Sequence, residues 1–271
     1  MATRLGVNVD PAGAALGSRP TLQESGAAYV RLVMLPNQPT RELVRSYRDR
    51  GIAVLPCTDA DTERGFPNSI AAASEYERRI GDLVDTSQIG RNEFEGHGPT
   101  SSSQAEAELF AQMSAWHSVW KSRRPQVTLV GPGMVSGNPD KWSGRCNALV
   151  DAIAVHPYVG EPLQMSDAVN RYRRWGKPIW ITEFPWWSEG HGREALRLSD
   201  GPAFAFCWQS WRVQSGGQTV EWLDGLLDLN GQRTWRFDSF ARLAREVIPP
   251  PAVSNQRVLL LSAPATQRVG S

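Results

Sequence analysis

Two glutamates follow predicted strands of this sequence at their carboxyl ends. Glu93 comes directly after Asn92, which ends the strand-like run "SQIGRN" at 87–92, and Glu183 lies near the end of "PIWITEF" at 178–184. A carboxyl group can donate a proton to a leaving oxygen, and a second carboxylate can attack carbon or activate water. Two strands that each deliver a glutamate to one mouth therefore predict a paired-carboxylate site.

Eight short β-rich runs supply the elements that would position this pair. They lie at 4–9, 29–34, 52–57, 87–92, 127–132, 152–158, 178–184 and 203–209. Helical patterns, with apolar residues three and four apart, lie at 40–51, 69–84, 103–122, 165–176 and 236–247. The first, fifth and seventh connections carry only weak helical signals.

Strands that alternate with helices predict a parallel sheet, and eight strands are the number that closes a (β/α)8 barrel. The runs are nearly continuously apolar, as expected for strands covered on both faces. A doubly wound open sheet is less consistent with the sequence, because the first run passes into "NVDPAGAALG", which lacks the G-x-G-x-x-G pattern. The sequence therefore predicts an α/β fold, a somewhat minimal TIM barrel with a proline-rich C-terminal tail.

We predict one catalytic barrel over residues 1–247 and a tail over 248–271. The tail opens with three prolines at 249–251, which cannot continue a helix, and then carries the apolar run "RVLLLSA" at 257–263. Two interpretations stay open for this run. It is either part of a loose tail or a strand that docks on the barrel or on a partner chain.

Charge and composition bear on partners and location. The 271 residues contain 29 Lys plus Arg and 28 Asp plus Glu, a net charge of +1, which predicts neither a nucleic-acid partner nor a membrane surface. The start "MATRLGVNVD" lacks the apolar core of a secretory signal. We therefore expect a protein that stays in the cytoplasm, or one that is released or assembled by a route other than Sec. The three cysteines are widely spaced, which predicts buried thiols.

Polar and aromatic side chains gather at the predicted carboxyl ends of the other strands. In a (β/α)8 barrel these ends form the active-site mouth. The candidates are Asn8, Arg31, Asn92, His156, Tyr158, Trp187 and Trp208. Such a ring around two glutamates suits glycoside hydrolysis. Arg31 and Tyr158 would donate to Glu183, Asn92 would hold a sugar hydroxyl, and a tryptophan would stack on the sugar ring.

In order along the chain, these motifs resemble those of the clan-A glycoside hydrolases, which are retaining (β/α)8 enzymes. The resemblance covers about residues 4–247 and is carried by Arg31 in "YVRLVM", by Asn92-Glu93, by His156 and Tyr158 in "VHPY", by Glu183 in "IWITEF" and by Trp208. It implies that Glu93 is the acid/base and Glu183 the nucleophile. It further implies β-linked glycan substrates. We count cell-wall polysaccharides among the candidate substrates, and we expect no cofactor. The chain departs from many relatives by placing Phe94, not proline, after the Asn-Glu pair.

Two other functions stay open at this stage. One is a carbohydrate-binding or structural barrel that has lost catalysis, which the intact glutamate pair disfavours. The other is a metal-dependent hydrolase built on the repeated tetrapeptide "EGHG" at 95–98 and 189–192. Histidine and carboxylate are zinc-type ligands, but two glycine-containing loops that line a substrate groove explain the repeat better, so we predict no metal.

Overall fold

A closed barrel of eight parallel strands forms the centre of the protein, and the strand order follows the sequence. The computed structural model describes residues 4–9, 14–58, 67–90, 92–93, 102–135, 142, 144–215 and 218–246. The strands are β1 (Leu5–Val9), β2 (Tyr29–Val33), β3 (Ala53–Cys57), β4 (Thr86–Gln88), β5 (Thr128–Val135), β6 (Ala152–His156), β7 (Ile179–Pro185) and β8 (Ala203–Phe206). The predicted TIM-barrel fold is confirmed.

The helices surround this barrel and follow the strands in turn. They are α1 (Leu22–Ser25), α2 (Thr40–Arg48), α3 (Ile70–Ile80), α4 (Ser102–Arg123), α5 (Gly144–Ala148), α6 (Met165–Arg173), α7 (Glu189–Leu198) and α8 (Trp235–Ala244). The first and fifth helices are short, as the weak signals predicted.

The seventh connection differs from the weak helix that was predicted. It contains the ten-residue helix α7, whose first turn is the second "EGHG" tetrapeptide. Glycines lower helical propensity, which explains the weak sequence signal. Ser188 caps this helix, because its hydroxyl accepts a hydrogen bond from the backbone N–H of His191.

A small apolar cluster fills the interior of the barrel toward the amino ends of the strands. Leu55, Val130, Ala152, Ala154 and Phe204 form it, with Tyr29 and Trp180 packed against it. Gly6 of β1 makes room for the largest ring, because a Cβ at this position would lie 2.7 Å from the Phe204 ring. A glycine is therefore required where β1 passes the cluster.

A β-hairpin that the sequence reading did not predict follows β8. Its strands are β9 (Trp211–Ser215) and β10 (Gln218–Trp222), paired antiparallel with Trp211 opposite Trp222. The segment "WRVQSGGQTVEW" has two β-rich runs around a Gly-Gly pair, which is a known hairpin signal. The hairpin could therefore have been found from the sequence.

The tail at 248–271 lies outside the described residues, so the domain boundary at 247 stays a prediction. The three cysteines, Cys57, Cys146 and Cys207, are buried, as predicted. Within the described ranges, no helix combines the length and the apolar character needed to cross a bilayer.

Alkaline pH is expected to destabilise the barrel through its buried phenols. Burial raises the pKa of Tyr47 and of Tyr76 above the usual value, and both side chains are fully buried. In the unfolded chain these phenols ionise near pH 10. Below that pH both states keep the protons and stability is constant. Above it only the unfolded chain releases them, so the free energy of unfolding falls by about 1.4 kcal/mol per pH unit for each phenol.

Denaturant unfolding at a series of pH values between about 8 and about 11 checks this expectation. The variant Tyr47→Phe is the control, since it should show a shallower fall above pH 10 or so. Stability that is the same at both ends of the series would contradict the assignment.

Candidate active site

Arg31 lies in the middle of β2, and its buried guanidinium contacts side chains in or just after four other strands. Its Nη1 donates to Asn8 Oδ1 at 2.7 Å and to Glu183 Oε1 at 2.6 Å. Its Nη2 donates to Asn92 Oδ1 at 2.8 Å, and its Nε donates to Gln88 Oε1 at 2.6 Å. Nη2 also lies 3.5 Å from the sulfur of Cys57. Arg31 therefore links β1, β3, β4 and β7 at the mouth of the barrel.

Glu183, near the end of β7, accepts hydrogen bonds from three side chains. Besides Arg31, Asn92 Nδ2 donates to Oε1 at 3.3 Å and the Tyr158 hydroxyl donates to Oε2 at 2.7 Å. Burial, and then the charge of Glu183, raises the pKa of Tyr158 well above its usual value. The phenol accordingly keeps its proton and donates a hydrogen bond to the carboxylate.

A register shift between β7 and β8 explains how two consecutive residues of β7 both reach the site. The shift lies between Ile181 and Phe184, at Thr182 and Glu183. Successive side chains of a regular strand point to opposite faces, and a bulge can re-aim one of them. Here Thr182 contacts His156 and Glu183 contacts Arg31.

Glu93 is held in a different way, by the backbone and by one histidine. Its backbone N–H donates to the carbonyl of Gly133 at 2.9 Å, and its φ of 52° lies in the left-handed region. Its Oε1 lies 3.1 Å from His156 Nδ1, while His156 Nε2 lies 2.9 Å from Thr182 Oγ1. A hydrogen bond between a ring nitrogen and a carboxyl oxygen needs one proton on that line.

The two carboxyl groups are close to each other. One oxygen of Glu93, one oxygen of Glu183 and a ring nitrogen of His156 all lie within 4.8 Å of one another. This set has the chemical character of a metal site, yet Arg31 already donates to Glu183 at 2.6 Å. A cation bound there would have to share that carboxylate with a guanidinium.

Gly133 of β5 makes room for the site. A Cβ at Gly133 would lie 2.0 Å from His156 Nε2 and 2.6 Å from Asn92 Oδ1. The absence of a side chain at Gly133 allows β5 to pass close to the histidine. The sequence reading did not detect this role, which depends on the register of β5 and β6.

Asn8 lies beneath the mouth instead of lining it. It is 3% exposed, its Nδ2 donates to the carbonyl of Thr182 at 3.0 Å, and its Oδ1 accepts from Arg31. Its amide is therefore used to orient Arg31, which differs from the substrate contact that the sequence predicted.

The aromatic wall differs from the prediction as well. Trp208 is only 1% exposed, packs against Phe237 of α8 and donates to the hydroxyl of Ser18. It is a core residue that lies beyond β8, which ends at Phe206, three residues earlier than predicted. Trp187 is 37% exposed, but its indole nitrogen donates to Asp224 at 2.9 Å and its ring packs edge-on against His191.

Two aromatic residues that the sequence reading missed stand beside the nucleophile candidate. Phe206 and Trp222 have ring centroids 5.2 Å apart, and they lie 6.3 and 6.1 Å from the Tyr158 ring. All three side chains are half-buried. The cluster brings together the segment after β6, the end of β8 and the hairpin. Of the two residues that were missed, Phe206 could have been found from its position at a strand end, whereas the place of Trp222 depends on how the hairpin folds back.

The "EGHG" repeat does not form a metal centre in the described part of the chain. Glu189 pairs with Arg193 and Arg242 at 2.6 and 2.5 Å, which lowers the pKa of this carboxyl. His191 is buried, and its Nδ1 lies 2.9 Å from the hydroxyl of Ser188. The first copy, at 95–98, lies outside the described residues.

A comparison of the sequence with models of protein families agrees with a barrel that carries a glutamate pair at its mouth. Residues 87–223 match the family described as the glycosyl hydrolase catalytic core, and this range covers half of the chain. The chain belongs to this family. The resemblance to clan-A glycoside hydrolases is thereby confirmed at the level of family and fold. No curated protein matches the chain.

Several solved glycosidases share the fold of this glycosyl hydrolase core. A β-galactosidase from the psychrophilic Marinomonas ef1 superposes with a TM-score of 0.68 at 13% identity, over 90% of this chain and 59% of that one. A β-D-glucuronidase from Dictyoglomus thermophilum gives 0.57 at 15% identity, over 84% and 46%. A glucosidase from Croceicoccus marinus gives 0.64 at 11% identity, over 90% and 67%. The core thus spans about half to two thirds of the length of these enzymes.

The substitution Gly133→Ala is expected to displace His156 and Asn92, because the added methyl group overlaps both side chains. A displacement of about 1 Å in a catalytic group can reduce the rate roughly 100-fold. We expect a loss of this order in kcat/KM for an aryl glycoside. Gly144→Ala is the matched control, since nothing lies within 4 Å of a Cβ there. Equal activity of both variants would contradict the role given to Gly133.

Proposed function

We propose that this chain is the catalytic barrel of a retaining glycoside hydrolase that acts on β-linked glycans without a cofactor. Glu183 is the nucleophile and Glu93 is the acid/base. The observation that carries the proposal is the spacing of the two carboxyl groups, which have oxygens within 4.8 Å of each other. Retaining enzymes hold their carboxyl groups about 5–5.5 Å apart, whereas inverting enzymes leave about 6.5–9.5 Å for a water molecule.

The unequal surroundings of the two glutamates support the assignment of roles. Arg31, Asn92 and Tyr158 donate to Glu183, whose side chain is 6% exposed. Donors of this kind stabilise a negative charge and fix the direction from which an oxygen can attack. Glu183 is therefore placed to form the glycosyl-enzyme bond.

Glu93 has the properties that an acid/base residue needs. Its side chain is 32% exposed, so it can reach both the leaving oxygen and the incoming water. His156 Nδ1 lies 3.1 Å from its Oε1, and a ring nitrogen can donate to the carboxylate or accept from the carboxylic acid, so it is a suitable partner for both states. The same residue would protonate the leaving group in the first step and take a proton from water in the second.

The aromatic cluster of Tyr158, Phe206 and Trp222 supports a sugar as substrate. Aromatic rings next to a nucleophile give a flat apolar surface that a sugar ring can pack against, with Asn92 close enough to Glu183 to bind a hydroxyl beside the reacting carbon. The β-linkage rests on the motif resemblance and on two of the structures named above, which are described as a β-galactosidase and a β-D-glucuronidase.

The two glutamates are expected to fail differently when replaced. Glu183→Ala removes the group that forms the intermediate, so turnover should be lost on every substrate. Glu93→Ala should lose roughly 10²–10⁴-fold on substrates with poor leaving groups. It should still show a fast first step with an activated aryl glycoside, because such a leaving group needs no proton.

Azide provides the decisive measurement, because it attacks without a general base. It should speed the second step of Glu93→Ala and give a glycosyl azide of retained configuration, whereas rescue of Glu183→Ala should give the inverted azide. Glu108→Ala, at an exposed position on α4, is the control and should match the wild type. Full activity of both site variants would show that the two-glutamate mechanism is wrong.

Trp222→Ala is expected to weaken the binding of the glycan. The loss of one aromatic contact costs about 0.5–1.5 kcal/mol, which corresponds to a KM roughly two- to tenfold higher. Trp235→Ala removes an equally large ring that is 54% exposed on α8 and serves as the control. An unchanged KM in Trp222→Ala, or an equal rise in both variants, would exclude the hairpin from the substrate wall.

A further inference from the structure

A pocket lies at the opposite end of the barrel from the glutamate pair. It has a volume of about 470 Å³ and is lined by Tyr29, Ala53, Thr86, Trp180 and Phe204, with Arg48 and Asp85 among the exposed lining residues. Tyr29, Ala53 and Thr86 are the first residues of β2, β3 and β4. Since the strands are parallel, the pocket opens at their amino ends, whereas Glu93 and Glu183 follow the carboxyl ends.

The pocket leaves apolar surface accessible at the amino ends of the strands, beside the apolar cluster that fills the interior of the barrel. Here Ala53 is exposed, and the rings of Trp180 and Tyr29 are only partly buried. An apolar pocket that holds only water is unfavourable by about 25 cal/mol for each Å² of apolar surface left exposed. Its size also falls within the range of pockets that bind a compact ligand.

The described chain ends close to this pocket. Helix α8 runs antiparallel to the strands and returns the chain to the amino ends of the barrel. A Cβ at Gly26 would lie 3.2 Å from Ala244, and Arg245 Nη2 donates to the carbonyl of Glu24 at 3.3 Å. Gly26 is three residues before Tyr29, which lines the pocket. The tail therefore leaves the barrel on the face where the pocket opens.

We propose that the apolar run of the tail, "RVLLLSA" at 257–263, docks in this pocket of its own chain. Ten residues, 247–256, connect the described part to the run, and at about 3.3–3.6 Å per residue they reach up to about 33–36 Å. This length suffices to cross the amino-end face of an eight-stranded barrel. The distance therefore allows docking within one molecule.

The chemistry of the run fits the lining of the pocket. Four consecutive apolar residues, 258–261, match the accessible apolar lining formed by Tyr29, Ala53 and Trp180. Arg257 precedes them, and Asp85 is an exposed acidic residue of the lining. The run would thus fill the apolar interior and place its cation near a carboxylate.

Trypsin cleavage of the full-length protein tests the docking. Arg257 borders the run, whereas Arg268 lies beyond it and serves as an internal reference. We expect cleavage after Arg257 to be at least tenfold slower than cleavage after Arg268. The variants Leu260→Asp and Ala53→Trp, which change the run and fill the pocket, should abolish this protection. Leu163→Asp, at a position that is 80% exposed on another surface, should keep it.

A cross-link separates docking within the chain from docking on a second copy. Under mild oxidation, Ala53→Cys with Leu260→Cys should form a disulfide inside the monomer, with a yield that does not depend on protein concentration. Leu163→Cys with Leu260→Cys is the control and should not cross-link. Dimers that form only at high concentration would show that a second copy fills the pocket and would overturn the proposal. It would equally be overturned if Arg257 were cleaved as fast as Arg268 and no cross-link formed.

Discussion

The buried positive charge of Arg31 is the constraint on which the active-site mouth depends. A guanidinium that is 2% exposed is stable only if its charge is paired and its N–H groups have acceptors. Glu183 supplies the counter-charge, with side-chain exposures of 2% and 6% for the pair. Asn8, Gln88 and Asn92 supply further acceptors. Since removing one partner of such a pair typically costs 3–5 kcal/mol, stability and function are coupled at this point.

The two glutamates are held in position by different groups. Glu183 is held by side chains from β2, β6 and the segment after β4, so its direction depends on the closure of the barrel. Glu93 is held through its own backbone, by a hydrogen bond to Gly133 and a left-handed φ that costs a non-glycine residue energy. One carboxylate is thus fixed by a network of donors. The other keeps an exposed side chain that can serve both steps of the proposed reaction.

The barrel and most of its mouth could be predicted from the sequence because both depend on local patterns. Apolar runs mark strands, and the glutamates lie where such runs end. Gln88 and Thr182 could not be predicted, since their roles as partners of Arg31 and His156 follow from strand register. Strand register and strand length also explain why Asn8 and Trp208 are buried, which their sequence positions did not predict. Asn8 lies one layer below the mouth, and the earlier end of β8 turns Trp208 toward α8.

The aromatic cluster shows how a segment outside the barrel can influence Glu183. Tyr158 donates to Glu183 through its hydroxyl, and the edge-to-face contacts of its ring with Phe206 and Trp222 limit how far the ring can turn. Because Trp222 ends the hairpin, the position of the hairpin restrains the ring that orients the carboxylate. A glycan that packs against Phe206 and Trp222 would therefore press on the residues that hold Glu183. In the proposed mechanism, substrate binding and orientation of the nucleophile consequently depend on the same three rings.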